Sequence, residues 1–286
     1  MKFGRLMGVQ LKIHPLLLLL AAAYFWLGLG REVLLVMAAV LLHELAHLAA
    51  ARSLKVTVGE VELLPFGGQA KTEDFTGLEP DKETIIAIIG PACSLIVAAV
   101  FYFLAPYLSI SKAGFFIKVN LLLGLFNLLP VLPLDGGRVL RAQLSRWLGY
   151  KKATARVAFL GQLMGVLLVA WGLYQAFYSM TGINILLAGT ILFWAARRES
   201  QLLSYSFMRY LINKKGNLAR NGLLPAQQYV SQPDTLVKSV LQVSSPTYYL
   251  LVVVINDHHQ VEGIVSEAEL IECLLEKGPQ AVVRDC

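Results

Sequence analysis

Three residues in one short stretch have the types and spacing of a metal site: His43, Glu44 and His47, within the run His43-Glu44-Leu45-Ala46-His47. On a helix, imidazoles four residues apart lie on one face, one turn apart, so both can bind the same ion. The glutamate beside them can take a proton from water activated there. Two imidazoles leave a catalytic zinc site short of a third protein ligand, since such sites keep one position open.

The apolar run around this motif sharpens its meaning. An ionisable side chain at the centre of a bilayer costs about 2.5–3.5 kcal/mol on insertion scales, so such residues are rarely there without a task. A second ionisable residue stands in an equally awkward place, in Asn127-Leu128-Leu129-Pro130-Val131-Leu132-Pro133-Leu134-Asp135-Gly136-Gly137. Two prolines and two glycines break the helix there. Broken backbone at membrane depth is tolerated where it lines a cavity or water, so Asp135 is the candidate third ligand. Asn127 is the candidate to hold substrate by hydrogen bonding, and Pro130 and Pro133 border the same break.

The elements that must position these residues are membrane spans. Of 286 residues, 56% are hydrophobic and 15% charged, and the mean hydropathy is +0.61. A hydrocarbon core needs about 20 apolar residues as helix. About six candidates occur, near residues 15–30, 33–51, 84–108, 114–129, 155–178 and 183–196. Gly161 and Gly165 give the fifth a face for close helix packing. The net charge of +6 is dispersed between apolar blocks rather than gathered in a stripe, which argues against nucleic acid. Lys and Arg concentrate at alternate helix ends, so the positive-inside rule places both termini in the cytoplasm. Cys93, Cys273 and Cys286 have no thiolate-site spacing.

Between the second and third spans, Val56 to Leu63 alternates like a strand and leads to Pro65-Phe66-Gly67-Gly68. It reads as a small β element near the active site, whose exposed edge pairs with an extended substrate, with Phe66 at the cleft. Beyond residue 198 the polarity becomes that of a soluble module. The expected division is 1–198 for the membrane domain, 199–217 for a linker and 218–286 for a small α/β domain. In that last part a helix near 236–243, strands at 248–255 and 261–265 and a helix at 267–276 follow one another.

The paired motifs, H-E-L-A-H early and N-x-x-P-x-x-P-L-D-G-G later, resemble the site-2 protease family of intramembrane zinc metalloproteases. That resemblance implies one zinc held by His43, His47 and Asp135, with Glu44 as general base and proton shuttle. It also implies an all-α polytopic membrane domain. The C-terminal element order resembles a single CBS module, which implies homo-oligomers and an adenine nucleotide such as ATP touched by Ser266 and Glu269. Glu269 departs from the usual Asp.

The layout as a whole is similar to sporulation-type members of the family. This implies a sigma factor precursor, pro-sigma-K, as membrane-associated substrate, with membrane-protein inhibitors or scaffolds, in the mother-cell membrane around the forespore. The alternatives are another membrane-bound regulator such as an anti-sigma factor, a CBS-regulated ion transporter, and a non-catalytic scaffold.

Overall fold

The computed structural model describes residues 2–6, 9–13, 22, 24–56, 60–64, 67–70, 78–108, 113–178, 182–201, 225–244, 248–258 and 260–286. The chain separates into two compact units, one of residues 1–75 and 81–139, the other of 76–80 and 140–286.

The first unit opens with strands β1 (Lys2–Leu6) and β2 (Val9–Ile13), followed by helix α1 (Gly30–Ser53) and strands β3 (Glu60–Leu64) and β4 (Gly67–Ala70). Helices α2 (Pro80–Leu108) and α3 (Ala113–Asn127) come next, then α4 (Asp135–Leu148), whose residues from 140 on belong to the second unit. Glu32 in the first turn of α1 and Arg52 in its last oppose the ends of the helix dipole. The helix closes in a Schellman motif, with Val56 N–H donating to Ala51 O and Lys55 N–H to Arg52 O. Lys55 takes the left-handed position, φ 57°, where glycine is the usual occupant. Helix α2 begins on Pro80, whose missing N–H is not needed at a first helical position, with Asp81 and Glu83 in that turn.

The four strands form one sheet in the order β1-β2-β3-β4. β3 pairs with β2 in parallel and with β4 antiparallel. This corrects the expectation for the 56–63 strand: both sides of β3 are already hydrogen-bonded, so it has no edge to offer. Among the described residues the open edges belong to β1 and β4.

In the second unit, Gly149 (φ 75°) joins α4 to helix α5 (Tyr150–Tyr178), and helix α6 (Gly182–Gln201) follows. A β-carbon on Gly165 would meet the backbone of Phe193, and one on Gly172 the backbone of Leu186, at 2.6–2.8 Å. A β-carbon on Gly189 would lie 2.8 Å from Val169 N. The close approach of α5 and α6 therefore uses Gly165 and Gly172 from one helix and Gly189 from the other.

Strand β5 (Ala226–Ser231), helix α7 (Val237–Leu241), strands β6 (Tyr249–Ile255) and β7 (Val261–Ser266) and helix α8 (Glu267–Lys277) complete the chain. The sheet order is β5-β6-β7, with β5 parallel to β6 and β7 antiparallel to it. Leu250, Val252 and Val254 alternate inward from β6 to meet Val237, Leu241 and Leu270. Tyr150, at the start of α5, is buried in the same core. Gln242 O and Ser244 O lie 3.1 and 3.3 Å from where a Gly149 side chain would begin.

Among the described residues three helices are long and apolar enough to cross a membrane: α1, α2 over Pro80–Ala105, and α5. α3 is apolar but shorter, and α6 carries Arg197, Arg198 and Glu199 near its end. Half of the expected first span, 15–30, falls outside the described residues, as does the linker from 202 onward.

Candidate metal centre

The motif helix supplies two ligands from one face. His43 and His47 are both buried, and their Nε2 atoms stand 3.1 Å apart. Asp135 reaches the same point from the first residue of α4, with Oδ2 lying 3.2 Å from each Nε2. Its local sequence explains how it gets there. After Asn127 ends α3, the chain turns through 128–134, and Gly136 and Gly137 accept the backbone of Leu128, Leu129 and Val131 where side chains would stand.

A third layer of contacts comes from α2. Ile86, Gly90 and Ser94, spaced four apart, lie on one helix face. The Ile86 carbonyl can only accept, so His47 Nδ1 carries a proton and donates to it over 2.7 Å. Ser94 Oγ stands 3.0 Å from His43 Nδ1. Gly90 lies under the His47 ring, where a β-carbon would overlap Nε2 and Cε1. A ring held by its Nδ1 proton in this way turns a lone pair on Nε2 into the cluster.

These three ligand atoms fit a zinc ion. Four donors about 2.0–2.1 Å from a tetrahedral zinc are about 3.3 Å from one another, close to the 3.1 and 3.2 Å separations here. Two imidazole lone pairs and a carboxylate converging on one point repel unless a cation lies between them. Among the described residues this trio is the group of ligating side chains able to hold a metal. Glu44 is partly buried beside the two histidines in the motif helix, where its carboxylate can serve as the base.

The other sequence candidates are placed more loosely. Asn127 is partly buried at the end of α3 and donates to Leu123 O over 3.0 Å. Pro130 is exposed and Pro133 half-buried on the connector to Asp135. Phe66 lies outside the described residues. Ser266 and Glu269 form the capping box of α8: Glu269 N–H donates to Ser266 Oγ, and Ser266 N–H to the Glu269 carboxylate over 2.7 Å. That bond holds the exposed Glu269 carboxyl below the usual carboxylate range. What the structure shows for this pair is a helix start, and nothing in its geometry assigns a nucleotide.

Sequence reasoning missed Ile86, Gly90 and Ser94. A small residue and a hydroxyl four apart in an apolar helix were the available signal, since such spacing marks close packing in membranes.

Comparison with known proteins adds the relationships. The sequence profile of peptidase family M50 matches residues 32–113 and 108–172. Rip3 of Mycobacterium tuberculosis is 40% identical over 201 residues, 64% of this chain and 49% of that protein. Stage IV sporulation protein FB of Bacillus subtilis is 33% identical over 147 residues, 51% of each. The chain thus spans about half the length of these curated relatives. The solved site-2 protease from Methanocaldococcus jannaschii superposes with a TM-score of 0.59 at 29% identity, covering 70% of this chain and 94% of that one.

Proposed function

The chain belongs to peptidase family M50, the site-2 proteases, and on that premise we propose that it is a zinc-dependent endopeptidase cutting a membrane-associated protein. The observation that carries this reading is the convergence of His43 Nε2, His47 Nε2 and Asp135 Oδ2 beside Glu44. When bound, zinc supplies Lewis acidity, lowering the pKa of water and polarising a carbonyl. Glu44 takes the proton from the attacking water and delivers it to the departing amine. Ile86 O and Ser94 hold the two rings in register, and Asn127, at the end of α3, is the residue we assign to hydrogen-bonding the substrate. The test is co-expression with a membrane-tethered precursor: Glu44→Gln should keep zinc and release no product. Normal cleavage by Glu44→Gln overturns the mechanism.

The membrane setting supports an intramembrane site, because α1 carries the motif and is apolar enough to span. Our full topology has six spans and both termini in the cytoplasm. Glu44 then sits about 12 Å inside the cytoplasmic end of α1, eight residues before Arg52. Cysteine-accessibility labelling at Ser53 from the cytoplasmic side tests this; labelling from the opposite side alone would reverse it.

A peptide bond must be extended to be attacked, and the substrate docks as a strand on β4, an open edge of the first sheet. Contact between α1 and β4 supports this choice. Gln69→Cys should crosslink to the substrate during processing, and its failure to do so would remove β4 from the path.

The finer assignment is a sporulation-type protease acting on a sigma factor precursor, with a CBS-type module from 218 onward that associates with a second copy. The similarity to stage IV sporulation protein FB and the strand and helix order of the C-terminal sheet support it. Identifying the protein that accumulates uncut with Glu44→Gln decides between this substrate and an anti-sigma factor.

A further inference from the structure

Asn120 is fully buried in α3, 0% exposed, in a helix otherwise almost wholly apolar. Its Nδ2 donates to Phe116 O over 2.9 Å. That bond orients the amide, because the reverse placement would set two oxygens against each other. Among the described residues, its Oδ1 is the buried side-chain polar atom without a hydrogen-bond partner. An apolar bundle has no bulk water to satisfy such an atom.

The register of α2 against α3 places this amide. At one end of their contact, Gly124 packs on Leu95 and the Pro91 carbonyl. At the other, the rings of Phe101 and Phe116 meet with centroids 4.8 Å apart. Asn120 lies midway between Gly124 and Phe116 and on the same face, so it meets α2 at the turn from Ser94 to Ala98. Ala98 in that turn is buried, at 3% exposure, and so is Ala39 of α1, one turn before His43, at 0%.

Ser94 leaves the complementary group. With His43 Nε2 turned toward a metal, His43 Nδ1–H donates to Ser94 Oγ over 3.0 Å. The hydroxyl proton of Ser94 must then go elsewhere. One surplus donor and one surplus acceptor thus occupy the same layer of the bundle. Where two polar groups face each other beyond direct reach, a water between them is the ordinary solution.

We propose that Asn120 is a positioning residue for the metal centre, holding a water against the Ser94 hydroxyl so that the chain Asn120–water–Ser94–His43 fixes the His43 tautomer and ring. The proposal rests on the reading of His43 as a metal ligand. Asn120 touches neither metal nor substrate and acts through Ser94 alone.

The experiment uses the full chain purified in detergent, with zinc affinity read by competition against a chromogenic chelator and the ligand field read from the cobalt-substituted visible spectrum. The wild type should bind one zinc, and failure to bind any would overturn the metalloprotease reading together with this one. Outer-shell partners typically contribute about 10–100-fold to metal affinity. Ser94→Ala should therefore weaken binding about tenfold or more, and Asn120→Leu by about threefold to tenfold with shifted cobalt bands.

Asn120→Asp should restore both readouts, because a carboxyl kept neutral by its apolar surroundings offers the same donor and acceptor. The double variant Ser94→Ala with Asn120→Leu should bind no worse than Ser94→Ala alone, since both cut one chain. Should the leucine not pack, Asn120→Val makes the same comparison. Wild-type zinc affinity and spectrum in Asn120→Leu or Asn120→Val would overturn the proposal, and so would effects that multiply in the double variant.

Discussion

His47 and Gly90 are in direct contact across two apolar helices, with the imidazole ring lying where any side chain at position 90 would begin. The ring is thus held from two directions, by the carbonyl of Ile86 at Nδ1 and by the bare backbone of Gly90 beneath it. A ligand confined in this way needs little ordering when a metal arrives.

Gly90→Ala tests that confinement. The added methyl overlaps Nε2 and Cε1 of His47, so the ring must leave its position. Zinc affinity should fall by at least about 10-fold, as for loss of a second-shell partner, while the helical circular dichroism stays unchanged. Chelator competition measures the first, and intact zinc binding would show that α2 yields easily.

Asp135→Asn keeps the side-chain shape and removes the charge. Two neutral imidazoles and a neutral amide hold a dication far less well than a set including a carboxylate. Zinc should be lost on dialysis from Asp135→Asn and retained by Glu44→Gln, as measured by metal analysis of the two purified variants. Equal retention would show that Asp135 is not a ligand.

Glu44→Gln separates binding from chemistry. General acid–base groups contribute about 10²–10⁴-fold to rate, so cleavage of a membrane-tethered precursor should fall by that factor at unchanged zinc content. Product release on immunoblots is the measurement.

Ser266→Ala removes one half of the capping box of α8. Loss of such a cap costs about 0.5–2 kcal/mol, seen as easier urea unfolding or faster proteolysis of the C-terminal module. The acidic branch follows from Glu269. Its folded-state pKa is depressed, so its contribution is present above the ordinary carboxylate pKa of about 4.3 and is lost as pH falls through the folded value. Ser266→Ala keeps the backbone N–H that chiefly depresses this carboxyl, so the variant that should lose the acid dependence is Glu269→Gln; an unchanged acid profile in Glu269→Gln would place the effect elsewhere.

Tyr150→Ala tests how the C-terminal module is anchored within its unit. Tyr150 is 3% exposed and belongs to the core of Leu241, Leu250 and Leu270, so truncation should cost about 3–5 kcal/mol, as for other large aromatics. Limited trypsin digestion should release residues beyond Gln201 sooner than in the wild type. Unaltered protection would mean that the module holds without this residue.

What the amino-acid order determined was local. The spacing of His43 and His47 set both rings on one helix face because helical periodicity needs no tertiary help. Apolar runs long enough to span, the break after Asn127 and the strand–strand–helix order after residue 248 were legible for the same reason, as each is written within a few turns of chain. The S-x-x-E start of α8 was equally local, and its two residues form the capping box of that helix.

Only the tertiary structure decided the rest. Asp135 meets His47 across 88 residues of sequence, and β1 and β2 join β3 through a parallel pairing that no local pattern announces. β5, a polar Gln-containing segment, becomes a strand because β6 offers it a hydrogen-bonding edge. The face of Ile86, Gly90 and Ser94 gains its meaning when α1 lies against it, since a carbonyl, a missing side chain and a hydroxyl carry no chemistry until two imidazoles are pressed onto them. The ligands were therefore readable in the chain. Their confinement belongs to packing between helices.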